Sequence, residues 1–359
     1  MRLKLLAAAS ALAAAIGFGP AQAETDYSGE TVTLLINYGA GGSTDIEGRI
    51  IAQHLGAHLP GEPNVIVQNM PGGGGNIGSN FLGTSAPKDG TMVGFFTWNP
   101  IDQLIKAPGL MIEYNDFAFI AGISHPTIFY MRKDVAPGIE EPTDLLKASG
   151  FKAGTMSPTI HQTVRTRLAL DLLGIDFDLV SGYRGLKPID TAMLQDEIQL
   201  TNGSLPGFMG SVMPTMVEPG IAIPLFHFDI EDTDGGYHPN PLLSEMHIPT
   251  FLDMYHAKFG ADAMPEGFEW EALSLINAIM ESMYRSILMP PGTDEDAVAT
   301  MRQAFTDLAA DPEFVADYKK TVGVEPRFTF GEEGQAIIER LADLDPDFLA
   351  KFTEYVNQQ

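Results

Sequence analysis

Leu34-Leu35-Ile36-Asn37-Tyr38-Gly39-Ala40-Gly41-Gly42-Ser43-Thr44-Asp45 decides how this chain is read. An apolar run of strand length ends in glycines, and a helix start follows. The arrangement recurs at Val65-Ile66-Val67-Gln68-Asn69-Met70-Pro71-Gly72-Gly73-Gly74-Gly75-Asn76-Ile77-Gly78. Glycine lets backbone approach a ligand closely, and a helix N-terminus adds unpaired N–H donors and partial positive charge. Two such loops at neighbouring strand ends describe a site for an anion, a carboxylate or a phosphate. No Gly-Lys-Ser/Thr follows either loop, so neither is a P-loop. Gly39, Gly41 and Gly42 lack the third glycine of a dinucleotide fingerprint.

Outward from these loops, short apolar strands alternate with helical patterns. Strands are expected at Val32–Ile36, Asn64–Gln68 and Met92–Phe96. Thr44-Asp45-Ile46-Glu47 reads as a capping box that opens a helix to about His58, and a second helix covers Asn76–Ser85. This order predicts a parallel sheet with ligands at the carboxyl ends of its strands, where Thr97-Trp98-Asn99 also falls. A second unit of the same kind starts near residue 128. It has strands at Ile128–Arg132, Phe177–Ser181 and Ile198–Thr201, and helices at Pro142–Ala148 and Pro188–Leu194. Ser157 and Pro158 are suited to begin the helix that continues through His161 to Gly174. Residues 229–249 form a Pro-, Gly- and Asp-rich connection. The pattern of residues 266–286 fits helix and strand equally. Helices return at Ala297–Ala310, after Asp311-Pro312-Glu313, and within Gly331–Phe352.

Residues 1–23 carry Arg2 and Lys4, an apolar run from Leu5 to Phe18 and Ala21-Gln22-Ala23. This is the pattern of a signal peptide removed after Ala23, and it places the mature chain in the periplasm. The apolar run is shorter than the ~20 residues of a membrane span. The 359 residues less these 23 are long enough for two domains, and no cysteine is present. The formal net charge is −26, which disfavours nucleic acid and anionic membrane as partners. An anion site is compatible with it, because surface charge is screened within about 8–10 Å while loop dipoles act at contact.

The two glycine loops, Ala86-Pro87-Lys88-Asp89-Gly90, Ala153-Gly154-Thr155-Met156-Ser157-Pro158-Thr159-Ile160-His161, Gly182-Tyr183-Arg184-Gly185, Ile248-Pro249-Thr250-Phe251 and Pro290-Pro291-Gly292-Thr293 together resemble, in order and spacing, the tripartite tricarboxylate transporter substrate-binding proteins, or Bug-type receptors. The resemblance implies an α/β periplasmic binding protein fold of the type II-like kind, with two α/β domains, a central ligand cleft and two crossing hinge strands. Residues 24–127 plus 287–359 would form the first domain and residues 128–286 the closing domain. It implies a receptor that captures a small organic carboxylate by hinge closure and delivers it to membrane permease subunits, acting as a monomer without cofactor or metal. Carried over, the ligand contacts are Tyr38, Ala40, Gly41, Gly42, Ser43, Asp45, Gly73, Gly74, Gly75, Asn76, Thr97, Thr155, Met156, Ser157, His161, Tyr183 and Ser204. Backbone donors of Gly41–Thr44 and Gly74–Ile77 would hold one carboxylate. The family usually has Phe and Pro where Tyr38 and Gly39 stand, Arg or Lys at Met70, and Val-Pro at Ser181-Gly182.

Each signal also has a plainer reading. Asp45 sits where a helix-capping acid sits. Ser157 and Thr155 could cap their helix, and His161 and Trp98 could be core. His54 and His58 have i, i+4 spacing without a third ligand. Met209, Met213 and Met216 read as adaptable core packing. No Gly-x-Ser-x-Gly elbow or metal motif is present. The alternatives to a transport receptor are a periplasmic enzyme acting on an organic acid, with His161 as base, and a ligand-presenting sensor subunit. Neither glycine loop contains an arginine; Arg184 is the nearest cation able to meet a second carboxylate.

Overall fold

The computed structural model describes residues 24–231, 235–339, 341 and 344–358. The expected signal peptide and its cleavage site lie outside the described residues. Among those described, no helix is long and apolar enough to cross a membrane.

Two sheets organise the chain. The first is built from β1 (Thr31–Ile36), β2 (Asn64–Asn69), β3 (Met92–Thr97), β4 (Ala118–Ile123), β12 (Arg285–Met289) and β13 (Phe328–Phe330), in the order β13-β4-β12-β3-β1-β2. The second contains β5 (Thr127–Arg132), β6 (Lys152–Gly154), β7 (Asp178–Val180), β8 (Leu200–Ser204) and β9 (Ala222–His227), in the order β7-β6-β8-β5-β9. A ribbon of β10 (Ile230–Glu231) and β11 (Tyr237–His238) stands apart.

The continuous apolar run in β1 reflects burial on both faces. Val32, Leu34 and Ile36 join one core cluster and Leu35 another. The expected parallel pairing holds for β1 with β2 and β3. The other half of this sheet is antiparallel, since β12 lies against both β3 and β4, and β13 against β4. β12 comes from the segment where helix and strand could not be told apart. That segment is a helix at Phe268–Ser282 followed directly by the strand.

Three helix starts depart from expectation. The first helix runs Ser43–Leu55 from an N-cap at Gly42, so Thr44 and Glu47 do not form a capping box. Both side chains turn inward instead, Thr44 to Thr97 and Glu47 to Arg285. The helix after β6 begins at His161, not at Ser157. Pro158 and Thr159 form a turn, and the Ile160 amide and Thr163 hydroxyl both donate to the Ser157 carbonyl. The helix expected from Pro188 begins at Leu186.

The chain passes between the sheets through Ser124-His125-Pro126, which link β4 to β5. It returns through the Phe268–Ser282 helix into β12. The two passages touch, because the Ser124 hydroxyl donates to the Glu281 carbonyl. The carboxyl ends of β1 and β3 therefore face the second sheet across a cleft, with the passages at its floor.

Candidate functional site

Two cavities open along this cleft. One, of about 380 Å³, lies between the Tyr38–Thr44 loop and the segment Arg184–Pro188. The other, of about 650 Å³, lies between Pro71–Gly75 and the segments Met156–Pro158 and Gly182–Arg184. Both are lined by Tyr38, Gly39, Met156 and Arg184.

Local chemistry shapes the loops. The Tyr38 hydroxyl donates to the Gly74 carbonyl at 2.7 Å and ties the first loop to the second. Asn37 Nδ2 donates to the Thr97 carbonyl at 2.9 Å, joining β1 to β3. Gly72, Gly73, Gly74 and Gly75 all have positive φ, a run that residues with a Cβ rarely adopt. A Cβ on Gly74 would stand 3.2 Å from the Ser157 Cβ, so the second loop touches the opposite unit there. Ser43 and Gly207 make the equivalent approach at the first loop, where a Cβ would meet Ser43 at 3.1 Å.

The expected contacts divide into two sets. Tyr38, Ala40, Gly42, Ser43, Thr97 and Met156 line the smaller cavity. Gly73, Gly74, Gly75, Ser157 and Tyr183 line the larger, again with Tyr38 and Met156. Gly41, Asp45, Asn76, Thr155, His161 and Ser204 line neither. Asp45 is 2 % exposed and braces the loop: Oδ2 accepts from the Gly41 amide and Arg49 Nε, and Oδ1 accepts from Asn69. The Gly41 amide is thus taken inside the protein. The amides of Gly75 and Ile77 are also taken, by the Gly72 carbonyl. Asn76 turns away to Asp102, at 2.6 Å. The amides of Thr155 and Met156 are taken by the Val180 carbonyl and Gln162 Oε1. The first amides of the Ser43–Leu55 helix have no carbonyl partner within the helix and are open to the site.

His161 is fully buried and stacks edge-on against Tyr284, with ring centroids 5.1 Å apart. Its Nδ1 lies 3.2 Å from Arg165 Nη2 and accepts from it. Burial, then the charges of Arg165 and Arg285, hold this imidazole well below its ordinary pKa, so it is neutral at pH 7. It lines neither cavity. Trp98 is core: it is fully buried, and its Nε1 donates to the Met283 carbonyl. His54 and His58 pair separately with Asp317 and Asp311.

Sequence reasoning missed Lys187, Tyr284 and, most deeply set of the three, Arg285. Arg285 is fully buried and lines the floor of the smaller cavity. Its Nε donates to Glu47 Oε2 at 2.6 Å, Nη1 to the Thr97 hydroxyl and Nη2 to the Ser204 hydroxyl at 3.2 Å. Ser204 therefore acts behind the cavity wall. Tyr284 lies between two guanidinium groups, with Arg285 Cζ 4.9 Å and Arg165 Cζ 6.0 Å from its ring centroid. One charge between Tyr284 and the apolar run Ser286–Met289 was the available signal, since a lone arginine in a buried strand needs a partner. Burial raises the pKa of the Glu47 carboxyl, but Arg285 and His125 outweigh it and hold the group at about 2.

The smaller cavity is lined by Arg184, Lys187 and Arg285 and by no aspartate or glutamate. Glu47 pairs with Arg285 behind the wall, so Arg184 and Lys187 are the cations left to the cavity in a chain with 47 acidic and 21 basic side chains.

No family model matches the chain. It is 29 % identical over 187 residues to a UPF0065 protein in the TAR-I ttuE-ttuC' intergenic region of Agrobacterium vitis, a match covering 50 % of this chain and 52 % of that one. The chain thus spans about half the length of that curated relative. Its fold is similar to the periplasmic binding protein BugD, with a TM-score of 0.66 and 19 % identity over 92 % of this chain and 98 % of the other. It is also similar to R. palustris Rpa4515 with adipate, with a TM-score of 0.65 and 18 % identity over 92 % and 98 %. Over about half its length the chain is similar in sequence to a UPF0065 protein, and its fold is similar to that of the periplasmic binding protein BugD.

Proposed function

We propose that this protein is an exported receptor that captures a small organic dicarboxylate in the cleft and hands it to a membrane permease. The observation that carries this reading is the smaller cavity, where Arg184, Lys187 and a helix N-terminus surround about 380 Å³ and Arg285, paired with Glu47, forms the floor. That volume suits a small metabolite. One carboxylate meets the helix start at Gly42–Thr44 and the Thr97 hydroxyl above Arg285. The second meets Arg184 and Lys187, which come from the opposite unit. Met156, Leu186 and Tyr284 cover the carbon chain between them. A dicarboxylate so placed touches both units and stabilises the closed cleft. The adipate bound by Rpa4515 is consistent with a ligand of this class.

The expected units, residues 24–127 with 287–359 and residues 128–286, then shift at both borders: Thr127 belongs to β5 of the closing unit and Arg285–Ser286 to β12 of the fixed one, with the hinge at Ser124–Pro126 and Tyr284. Export after Ala23, residence in the periplasm and the permease partner belong to the same reading.

The test is a thermal-shift and calorimetry screen of dicarboxylates from malonate to adipate beside the matching monocarboxylates, with product assayed in parallel. The expected result is stoichiometric stabilisation, stronger for a dicarboxylate, without turnover. Stabilisation by no organic acid, or conversion of one, would overturn the reading.

A further inference from the structure

A third cavity, of about 320 Å³, lies away from the cleft, between the Phe268–Ser282 helix and the strand end Phe228–Glu231. Trp270, Ser274, Asn277, Ala278 and Glu281 come from that helix at intervals of three and four, so one helix face forms one wall. Phe228, Phe251 and Tyr237 supply the others. Its aromatic walls are ordered: Phe251 and Trp270 stack with centroids 6.1 Å apart at 15°, and Tyr237 lies 5.5 Å from Trp270.

Its charge is the reverse of the cleft's. Asp229, Glu231 and Glu281 line it, and among the described residues no lysine, arginine or histidine does; Arg165 stands behind the wall, paired with Glu281 and 5.1 Å from the Phe228 ring centroid. Glu281 is 5 % exposed. Its Oε1 accepts from Arg165 at 3.0 Å, and its Oε2 has no hydrogen-bond partner. Asp229 Oδ2 accepts from the Leu252 amide, and no basic side chain pairs with Asp229 among the described residues. Burial pushes Glu281 up to about 7 in spite of its ion pair with Arg165, and pushes Asp229 up to about 6.

We propose that this cavity is a second binding site, for an organic ammonium. Aromatic faces attract a cation through their quadrupoles, and more strongly where it is desolvated. A buried carboxylate with an unsatisfied oxygen gains from a cation that cannot itself be hydrated there. The site is independent of the ligand in the cleft. The helix that forms its wall nevertheless leads directly to Tyr284 and Arg285, which line the cleft.

The probes are choline and its neutral isostere 3,3-dimethyl-1-butanol, titrated into the full exported chain. Trp270 reports occupancy by fluorescence, and calorimetry gives the stoichiometry. Choline is expected to bind saturably at one site, and the isostere at least tenfold more weakly. The double variant Asp229→Asn, Glu231→Gln should weaken choline at least tenfold and leave dicarboxylate affinity in the cleft unchanged. Glu231→Gln alone, an exposed substitution, should weaken it several-fold and covers the case in which the double variant folds poorly. No saturable choline binding, equal affinity for the isostere, or unchanged affinity in these variants would overturn the proposal. None of those outcomes bears on the dicarboxylate reading.

Discussion

Arg285 and Glu47 form a fully buried ion pair, with Nη2 and Oε2 2.6 Å apart, between positions 238 residues apart in the chain. The pair fixes the start of the Ser43–Leu55 helix against β12, and His125 and Tyr318 both reach Glu47 Oε1. The amides at that helix start and the guanidinium on the cavity floor are therefore held in one register. Removing either partner strands the other charge, which costs about 3–5 kcal/mol in a buried pair. Glu47→Gln should lower stability by that amount in urea unfolding. A loss under about 1 kcal/mol would show that the pair does not hold the site together.

Acid should expose the same pair. Glu47 titrates at about 2 in the folded protein against an ordinary value of 4.5. A depressed folded value means its stabilising contribution is whole above about 4.5 and is lost as pH falls from there toward 2. The native protein should lose stability across that window, and Glu47→Gln should lose less. Identical acid profiles would contradict the assignment.

Asp190 carries the opposite sign. Burial raises it from 3.8 to about 6, against hydrogen bonds from Ser211 and Tyr130. The folded protein holds this proton to higher pH than the unfolded chain, so stability declines as pH rises from 3.8 to 6 and the contribution is gone above that. Asp190→Asn keeps the shape without the buried charge. Its melting temperature at pH 7.5 should rise by a few degrees, and its dependence on pH between 4 and 6 should flatten.

Gly74→Val should abolish ligand affinity while leaving the fold standing. Gly74 has φ +66 and ψ 18, and its place for a Cβ lies against Ser157. A β-branched side chain would strain the loop by about 1–2 kcal/mol and prop the two units apart. The expected outcome is at least a hundredfold weaker dicarboxylate binding with little change in far-UV circular dichroism. Retained affinity would remove the second loop from the site.

Arg184→Ala and Lys187→Ala address the distal carboxylate. Each should weaken a dicarboxylate about tenfold and a monocarboxylate of equal length far less, because only the former has a second charge to lose. Equal losses for both ligands would place these cations elsewhere than at the second carboxylate.

Asn99 joins the units by two hydrogen bonds, accepting from the His161 amide at 3.2 Å and donating to the Thr159 carbonyl at 3.3 Å. Asn99→Ala leaves buried backbone groups unpaired in the closed form, at about 1–3 kcal/mol. Affinity should fall roughly tenfold, chiefly through faster dissociation in stopped-flow measurements.

Much of the site was legible locally. Apolar runs ending in glycine located β1, β2 and their loops, because strand burial and positive φ both leave marks at fixed positions in the sequence. The same local reading failed at Thr44 and Glu47, whose spacing suits a capping box. Capping contributes about 1 kcal/mol, and the inward turn of Glu47 to Arg285 satisfies a buried guanidinium that would otherwise cost more. Ser157 failed for a similar reason, since the turn at Pro158–Thr159 takes its carbonyl and delays the helix to His161.

The sequence by itself determined the alternation of strands and helices, the two glycine loops and the order of motifs shared with Bug-type receptors, all of which rest on neighbours within a few residues. Only the tertiary structure decided which amides stay free, that Asp45 and Ser204 work behind the wall, and that Arg285 forms the floor. Those outcomes depend on which distant polar group reaches a buried partner first. Sequence spacing carries no record of that contest, whereas burial and distance in the folded chain settle it.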